Sequence, residues 1–397
     1  MLPDKHRIWN QLEAHARSIS EHRMNDFYQM TSDREARFQE TACGITLDFS
    51  KQRITSETLD LLCDLADSCQ LKQKIDDLMS GKKINVSENR PALHTALRVM
   101  EYQPLWVDGH DVMADVFEAR NKMEVIAGSI RSGSWLGCTG QPIADVVNIG
   151  MGGSDLGAKF CLNALTDDVS QDLQFHFISD ADPDIFERTI AKLNPETTLF
   201  IVSSKSFTTG ETLFNAQKAM HWIGDSNRFK QHFIAITAQT EKAYAHGIKN
   251  VLPIWDWVGG RYSVCSAVNL ITMIAIGPMH FKEFLSGAHA MDEHFKSTPF
   301  KSNLPILAAL LGLWNNNFNE IQTLLMLVYS NRLEQLVAYV QQLDMESNGK
   351  CTDRDGHLVP YATGPIVWGG HGNRAQHSYY QLLCQGTHRV AIDFISI

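Results

Sequence analysis

Four short, nearly unbroken apolar runs dominate the middle of the chain: Val146-Val147-Asn148-Ile149, Phe175-His176-Phe177-Ile178, Leu199-Phe200-Ile201-Val202 and Phe233-Ile234-Ala235-Ile236. Each is followed by Gly, Ser, Thr or Asp. Runs of this kind suit parallel strands covered on both faces. Helical segments such as Ala158–Leu165 and Glu211–Ile223 lie between some of them. The pattern predicts βαβ units and a doubly wound parallel sheet, an α/β fold.

The rest of the chain is organised around that block. Its 397 residues suffice for two or three domains. Residues 1–112 read as a helical N-terminal region. Within it, Ser56 to Ala66 places Leu59, Leu62, Cys63 and Ala66 on one helical face, with Ser56 or Thr58 as a cap. Residues 113–280 form the first α/β domain. Residues 281–397 read as a helical connection followed by a second α/β pattern, starting near Gly364-Pro365-Ile366-Val367-Trp368 and ending at Val390–Ile395. A buried parallel strand needs helices over both faces, and few residues follow Ile395. The second domain is therefore expected to be incomplete.

Composition excludes several classes. The chain is 44% hydrophobic and 20% charged, as expected for a globular protein with a substantial core. A formal net charge of −10 argues against nucleic-acid binding. The N-terminus has no apolar signal region. The longest apolar stretch, Leu304–Trp314, is too short for a bilayer and reads as a buried helix, so no membrane partner is expected. Eight scattered cysteines without a Cys-x-x-Cys pair point to a reducing cytoplasm. Sixteen histidines without a His-Glu-x-x-His spacing give no expectation of a metal.

Five segments carry chemistry. Ile149-Gly150-Met151-Gly152-Gly153-Ser154-Asp155-Leu156-Gly157 takes a strand through glycines into a helix, which lets backbone N–H groups approach an anion. A plain strand–helix turn is the alternative. Asp155 stands where the dinucleotide fingerprint needs glycine, which removes a nicotinamide-dependent oxidoreductase. Ser203-Ser204-Lys205-Ser206-Phe207-Thr208-Thr209-Gly210-Glu211-Thr212 sets six hydroxyls around one lysine at a helix start, a cradle for phosphate. Thr208 and Glu211 have capping-box spacing. In Trp255-Asp256-Trp257-Val258-Gly259-Gly260-Arg261-Tyr262-Ser263, Arg261 could stabilise an oxyanion or stack on an aromatic ring. Gln341-Gln342-Leu343-Asp344-Met345-Glu346-Ser347-Asn348-Gly349-Lys350 leaves Glu346 near a helix end, as a base or as a solvated glutamate. Gly369-Gly370-His371-Gly372-Asn373-Arg374-Ala375-Gln376-His377 reads as a glycine-rich loop leading into a helix that carries His377.

In this order the five segments resemble the phosphoglucose isomerase family. The most specific matches are Gly-Gly-Arg-Tyr-Ser at 259–263, Met-Glu-Ser-Asn-Gly-Lys at 345–350 and Ser-Lys-Ser-Phe-Thr-Thr-Gly-Glu-Thr at 204–212. Asn89-Arg90-Pro91-Ala92-Leu93-His94-Thr95-Ala96-Leu97-Arg98 adds to the likeness, which runs from about residue 40 to the last. The resemblance implies two sugar-isomerase α/β domains in a homodimer, and interconversion of glucose 6-phosphate and fructose 6-phosphate without a cofactor. Gly153, Ser154, Ser204, Lys205, Ser206, Thr209 and Thr212 would hold the phosphate region and Gln342 would line the site. Glu346 would move the proton between C2 and C1, Arg261 would stabilise the enediolate, and His377, supplied to the partner's site, would assist ring opening. Three departures stand out. The 369–375 segment differs from the commoner family form, Asn269 replaces a usual glycine, and the family's further helices with a catalytic lysine have no counterpart. A non-catalytic sugar-phosphate-binding module is the rival expectation, and an impaired isomerase is expected of this chain.

Overall fold

The computed structural model describes residues 2–397. Contacts group them into two compact units, one of Gly81–Ser286 with Asn331–Leu343, the other of Met1–Ser80, Gly287–Ser330 and Asp344–Ile397.

The first unit is built on a five-stranded parallel sheet. Its order is Gln174–Ile178, Asp145–Gly150, Thr198–Ser203, Phe233–Thr237, Asn250–Pro253. The four apolar runs are four of these strands. Thr198–Ser203 and Phe233–Thr237 are buried along their whole length, as strands covered on both faces should be. Alternate residues Val147, Ile149, Phe200, Val202, Phe233 and Ala235 form one core with Phe186, Ala216, Ala219 and Ile223 from intervening helices. Helices Leu156–Ala164, Pro183–Ile190, Gly210–Ile223 and Thr240–Ala245 connect successive strands. The Gln174–Ile178 run lies at the sheet's edge and is correspondingly less buried. The fifth strand, Asn-Val-Leu-Pro at 250–253, escaped the sequence reading because only its central residues are apolar and a proline ends it.

The second unit has two hydrophobic centres. In one, Trp9, Leu12, Leu62, Leu65, Leu307, Leu311 and Trp314 bring helices Arg7–Ile19, Ser56–Ser68 and Leu304–Asn317 together. Leu304–Asn317 is the buried helix its apolar composition predicts. Helix Ser56–Ser68 is capped by Thr55, not by Ser56 or Thr58. The Thr58 hydroxyl instead accepts the Thr55 N–H at 2.9 Å in a capping box and meets His15 Nε2 at 2.7 Å.

The other centre is a three-stranded parallel sheet ordered Ile366–His371, Thr323–Val328, Ala391–Ile395. Its middle strand corrects the sequence reading, which placed only a helical connection between residue 281 and the α/β pattern near Gly364. Leu324-Leu325-Met326-Leu327-Val328 favours neither period, and Leu and Met are good helix formers. Gly369, Gly370 and His371 are likewise strand residues, not loop. Gly369 has a φ of +141°, and a Cβ there would collide with the Met326 backbone of the neighbouring strand. The Ala391–Ile395 strand forms at the predicted place, but it is an edge strand with Phe394 66% exposed. None of the described helices is long and apolar enough to cross a membrane.

Candidate active site

The five-stranded sheet reverses direction of winding between Asp145–Gly150 and Thr198–Ser203, the first strand having the second on one side and the third on the other. At such a point the loops leaving the two strands diverge and open a crevice at the carboxyl ends, where ligands of open α/β sheets bind. Both of the Gly/Ser/Thr segments singled out from the sequence leave the sheet here. A cleft of about 590 Å³ lies between them, in the size range of small-ligand sites.

The first wall is Met151 to Ser154. Gly153 has no room for a side chain, because a Cβ there would strike the Gly260 carbonyl group and sit 2.7 Å from Arg261 N. Ser263 Oγ donates to Gly153 O at 3.1 Å, and Asn148 Nδ2 to Ser154 O at 3.0 Å. Gly152, at φ +53°, faces Gln342 Nε2. Asp155 is buried and pairs with Lys159 Nζ at 2.9 Å, and burial raises its carboxyl above the usual range.

The second wall is Ser203 to Thr212. Here the capping-box expectation fails. The Thr208 hydroxyl turns to Ser206 Oγ at 2.7 Å, and the helix begins after Thr209, whose side chain makes no cap bond and meets Ser204 Oγ at 3.2 Å. The first turn of Gly210–Ile223 thus keeps N–H groups uncapped by that side chain, and the positive end of the helix dipole is directed at the cleft. Ser203 and Thr212 border the cleft, are almost fully buried, and their hydroxyl oxygens have no partner among the described residues. Buried hydroxyls without partners cost stability unless a ligand completes them.

The third wall is Asp256 to Arg261. Lys205 Nζ donates to Asp256 O and Val258 O, both at 2.9 Å. Arg261 lies with its guanidinium 5.1 Å from the Tyr262 ring centre, and His94 stacks on Tyr262 at 4.7 Å. Burial, aided by Arg98, pushes the His94 imidazole down to about 4. Burial also lowers the Lys205 ammonium below its ordinary range. Asn269 is buried and donates to Val264 O at 2.9 Å.

Seven residues expected to bind substrate therefore border one cleft: Gly153, Ser154, Ser204, Lys205, Ser206, Thr209 and Thr212. Arg261 and Gln342 belong to the same unit, beside Gly153 and Gly152. Glu346 and His377 belong to the other unit. Glu346 is exposed in the last turn of helix Leu336–Asn348, and its carbonyl accepts from Lys350 Nζ at 3.1 Å. His377 lies in a turn between the short helices Gly372–Ala375 and Tyr380–Gln385, not on a helix as expected. The sequence reading missed Glu88, Arg90, Gln239, Lys242 and Asp256, which also border the cleft. Gln239 and Lys242 follow the Phe233–Thr237 strand, so the rule that placed the other loops would have found them.

The family model for phosphoglucose isomerase matches residues 48–397. The glucose-6-phosphate isomerase of Legionella pneumophila (strain Paris) is 60% identical over 353 residues, covering 89% of this chain and 71% of that protein. That of Deinococcus deserti is 47% identical over 395 residues, 98% and 72% of the two chains. Among solved structures, a glucose-6-phosphate isomerase from Chlamydia trachomatis superposes with a TM-score of 0.89 at 30% identity, covering 98% of this chain and 75% of that one. With this breadth of match and the strand-end loops in their expected order, the chain belongs to the phosphoglucose isomerase family.

Proposed function

We propose that the protein interconverts glucose 6-phosphate and fructose 6-phosphate through an enediolate, the phosphate being held in the cleft of the first unit. The observation that carries this reading is the cleft itself. In a chain of this family, buried hydroxyls without partners and an uncapped helix N-terminus converge at the sheet's switch point. Ser204, Ser206, Thr209 and Thr212 hold the phosphate with Gly153 and Ser154, and Gln342 lines the site. A fixed remote phosphate lets binding energy position the reacting carbons.

Glu346 is the base that carries the proton between C2 and C1. Arg261 faces the developing oxyanion, and His377, given to the site of a second subunit in a homodimer, assists ring opening. Proton transfer within one substrate needs neither an oxidant nor a metal from the protein. The setting is the cytoplasm, and the reaction serves glycolysis and gluconeogenesis. A coupled assay of fructose 6-phosphate conversion tests the reading, run beside calorimetry with fructose 6-phosphate. A fall in kcat of at least ~10²-fold is expected of Glu346→Gln. Tight binding with no turnover under any condition would favour the non-catalytic module instead.

A further inference from the structure

We propose that the Lys205 ammonium is a brace between two loops of the cleft and not a ligand of the anion: it ties the Asp256–Val258 backbone to the Ser204–Thr209 loop and so positions Gly259-Gly260-Arg261. The proposal deepens the reading of the cleft as a phosphate site and rests on it.

An ammonium has three N–H groups. Two of them are used on the carbonyls of Asp256 and Val258, both at 2.9 Å, and Asp256 Oδ1 lies 3.9 Å away. Lys205 is half-buried, so turning the ammonium to a phosphate would leave partly desolvated carbonyls without a donor.

The local charge agrees. Arg90 Nη1 lies 3.5 Å from Asp256 Oδ1 and 3.8 Å from Glu88 Oε1. Two cations, Lys205 and Arg90, thus share a wall with two carboxylates, Asp256 and Glu88. Around the Lys205 ammonium these charges offset one another, so this cluster offers little net attraction to an anion. The attraction comes from the helix N-terminus and the hydroxyls opposite, and from Lys242 and Arg261 outside the cluster.

The brace also has a fixed foot. Lys205 O accepts from Ala238 N at 3.0 Å and from Thr237 Oγ1 at 3.1 Å, while Ser204 N donates to Ile236 O at 3.0 Å. The lysine backbone is anchored to the end of the Phe233–Thr237 strand, and its side chain reaches across to the residues just before Gly259. On the far side the same loop is fixed to the first wall by the Gly153–Gly260 approach and by Ser263. Lys205 completes a three-loop frame around Arg261.

The test uses the full chain with Lys205→Met and Lys205→Arg, the latter able to bridge both carbonyls. Hydrogen exchange in peptides spanning 255–263 should quicken at least ~10-fold in the Met variant and recover in the Arg variant. Affinity for inorganic phosphate by calorimetry should change less than ~3-fold in both, since an ammonium beyond contact distance is weakly felt through water and salt. With fructose 6-phosphate, kcat should fall at least ~10-fold in the Met variant with KM within ~3-fold. A ~10-fold loss of inorganic phosphate affinity in Lys205→Met overturns the proposal, as does unchanged exchange at 255–263, or a raised KM at unchanged kcat. If the wild-type chain binds no inorganic phosphate, the phosphate reading of the cleft falls, and the exchange comparison still decides the brace.

Discussion

The two parallel sheets begin with the same winding, first strand in the middle and the next two on either side, yet they present different surfaces at their strand ends. In the five-stranded sheet the Asp145–Gly150 and Thr198–Ser203 strands run into loops rich in Gly, Ser and Thr, whose backbones and hydroxyls line a cleft. In the three-stranded sheet the central strand is followed by Tyr329, whose ring packs on Gly372 and whose hydroxyl meets Tyr380 at 3.0 Å. Two of its residues, Ile366 and Phe394, are 62% and 66% exposed on outer strands, whereas Thr198–Ser203 and Phe233–Thr237 have no exposed residue. Topology supplies a position for a site. The residues that leave the strands decide whether it can hold an anion.

That contrast predicts a division of labour. On the proposed function, binding would belong to the first unit and Glu346 in the other would serve turnover. The largest effect expected is for Glu346→Gln. It should lower kcat at least ~10²-fold while affinity for inorganic phosphate stays within ~2-fold. Near-normal turnover would remove Glu346 from its role and leave the comparison without its second half. Ser204→Ala with Thr209→Ala should do the reverse. Two lost hydroxyls, at about 1 kcal/mol each, should weaken inorganic phosphate binding by roughly 30-fold with the thermal melt unchanged. Unaltered affinity in calorimetry would mean that the hydroxyls only shape the loop.

A third test concerns pH. The folded state holds His94 at about 4, below the ordinary 6.5, so the unfolded chain binds more protons between those values. Stability contributed by the neutral imidazole is complete above 6.5 and is lost as pH falls toward 4. Between pH 6.5 and 5 the loss should be roughly 1–2 kcal/mol from this group alone. His94→Gln should flatten that part of the melting-temperature profile. An identical profile in the variant would show that His94 carries no such linkage. The smallest effect sharpens the picture of the helix start. A Cβ on Gly210 would meet nothing within 4 Å, so Gly210→Ala should stabilise by roughly 0.5 kcal/mol and leave phosphate binding intact. A loss of affinity would mean that this backbone moves to receive the ligand.

Much of this was legible in the sequence, for identifiable reasons. Continuous Val/Ile/Phe runs ending in small polar residues announce buried parallel strands, and four were found. Thr323–Val328 was not found, because leucine and methionine serve helix and strand alike when both faces are buried. The Gly/Ser/Thr loops were legible because few structures need so many hydroxyls at one helix start. The use of the Lys205 ammonium was not legible. Its partners are carbonyls some fifty residues away, and any residue type carries a carbonyl. Capping failed similarly: Thr208 has the right spacing, but a neighbouring hydroxyl at Ser206 competed for its side chain.

The bond from Ser263 to Gly153 joins residues 110 apart in the chain. Closing so long a loop costs entropy before any contact in it forms. The strands between these residues, Gln174–Ile178 through Asn250–Pro253, must be laid side by side before Gly153 and Gly260 can meet. The cleft is therefore expected to form late in folding, after the sheet that carries it. Inorganic phosphate, if it binds there, should slow unfolding far more than it speeds folding, because the transition state has not yet built its binding site.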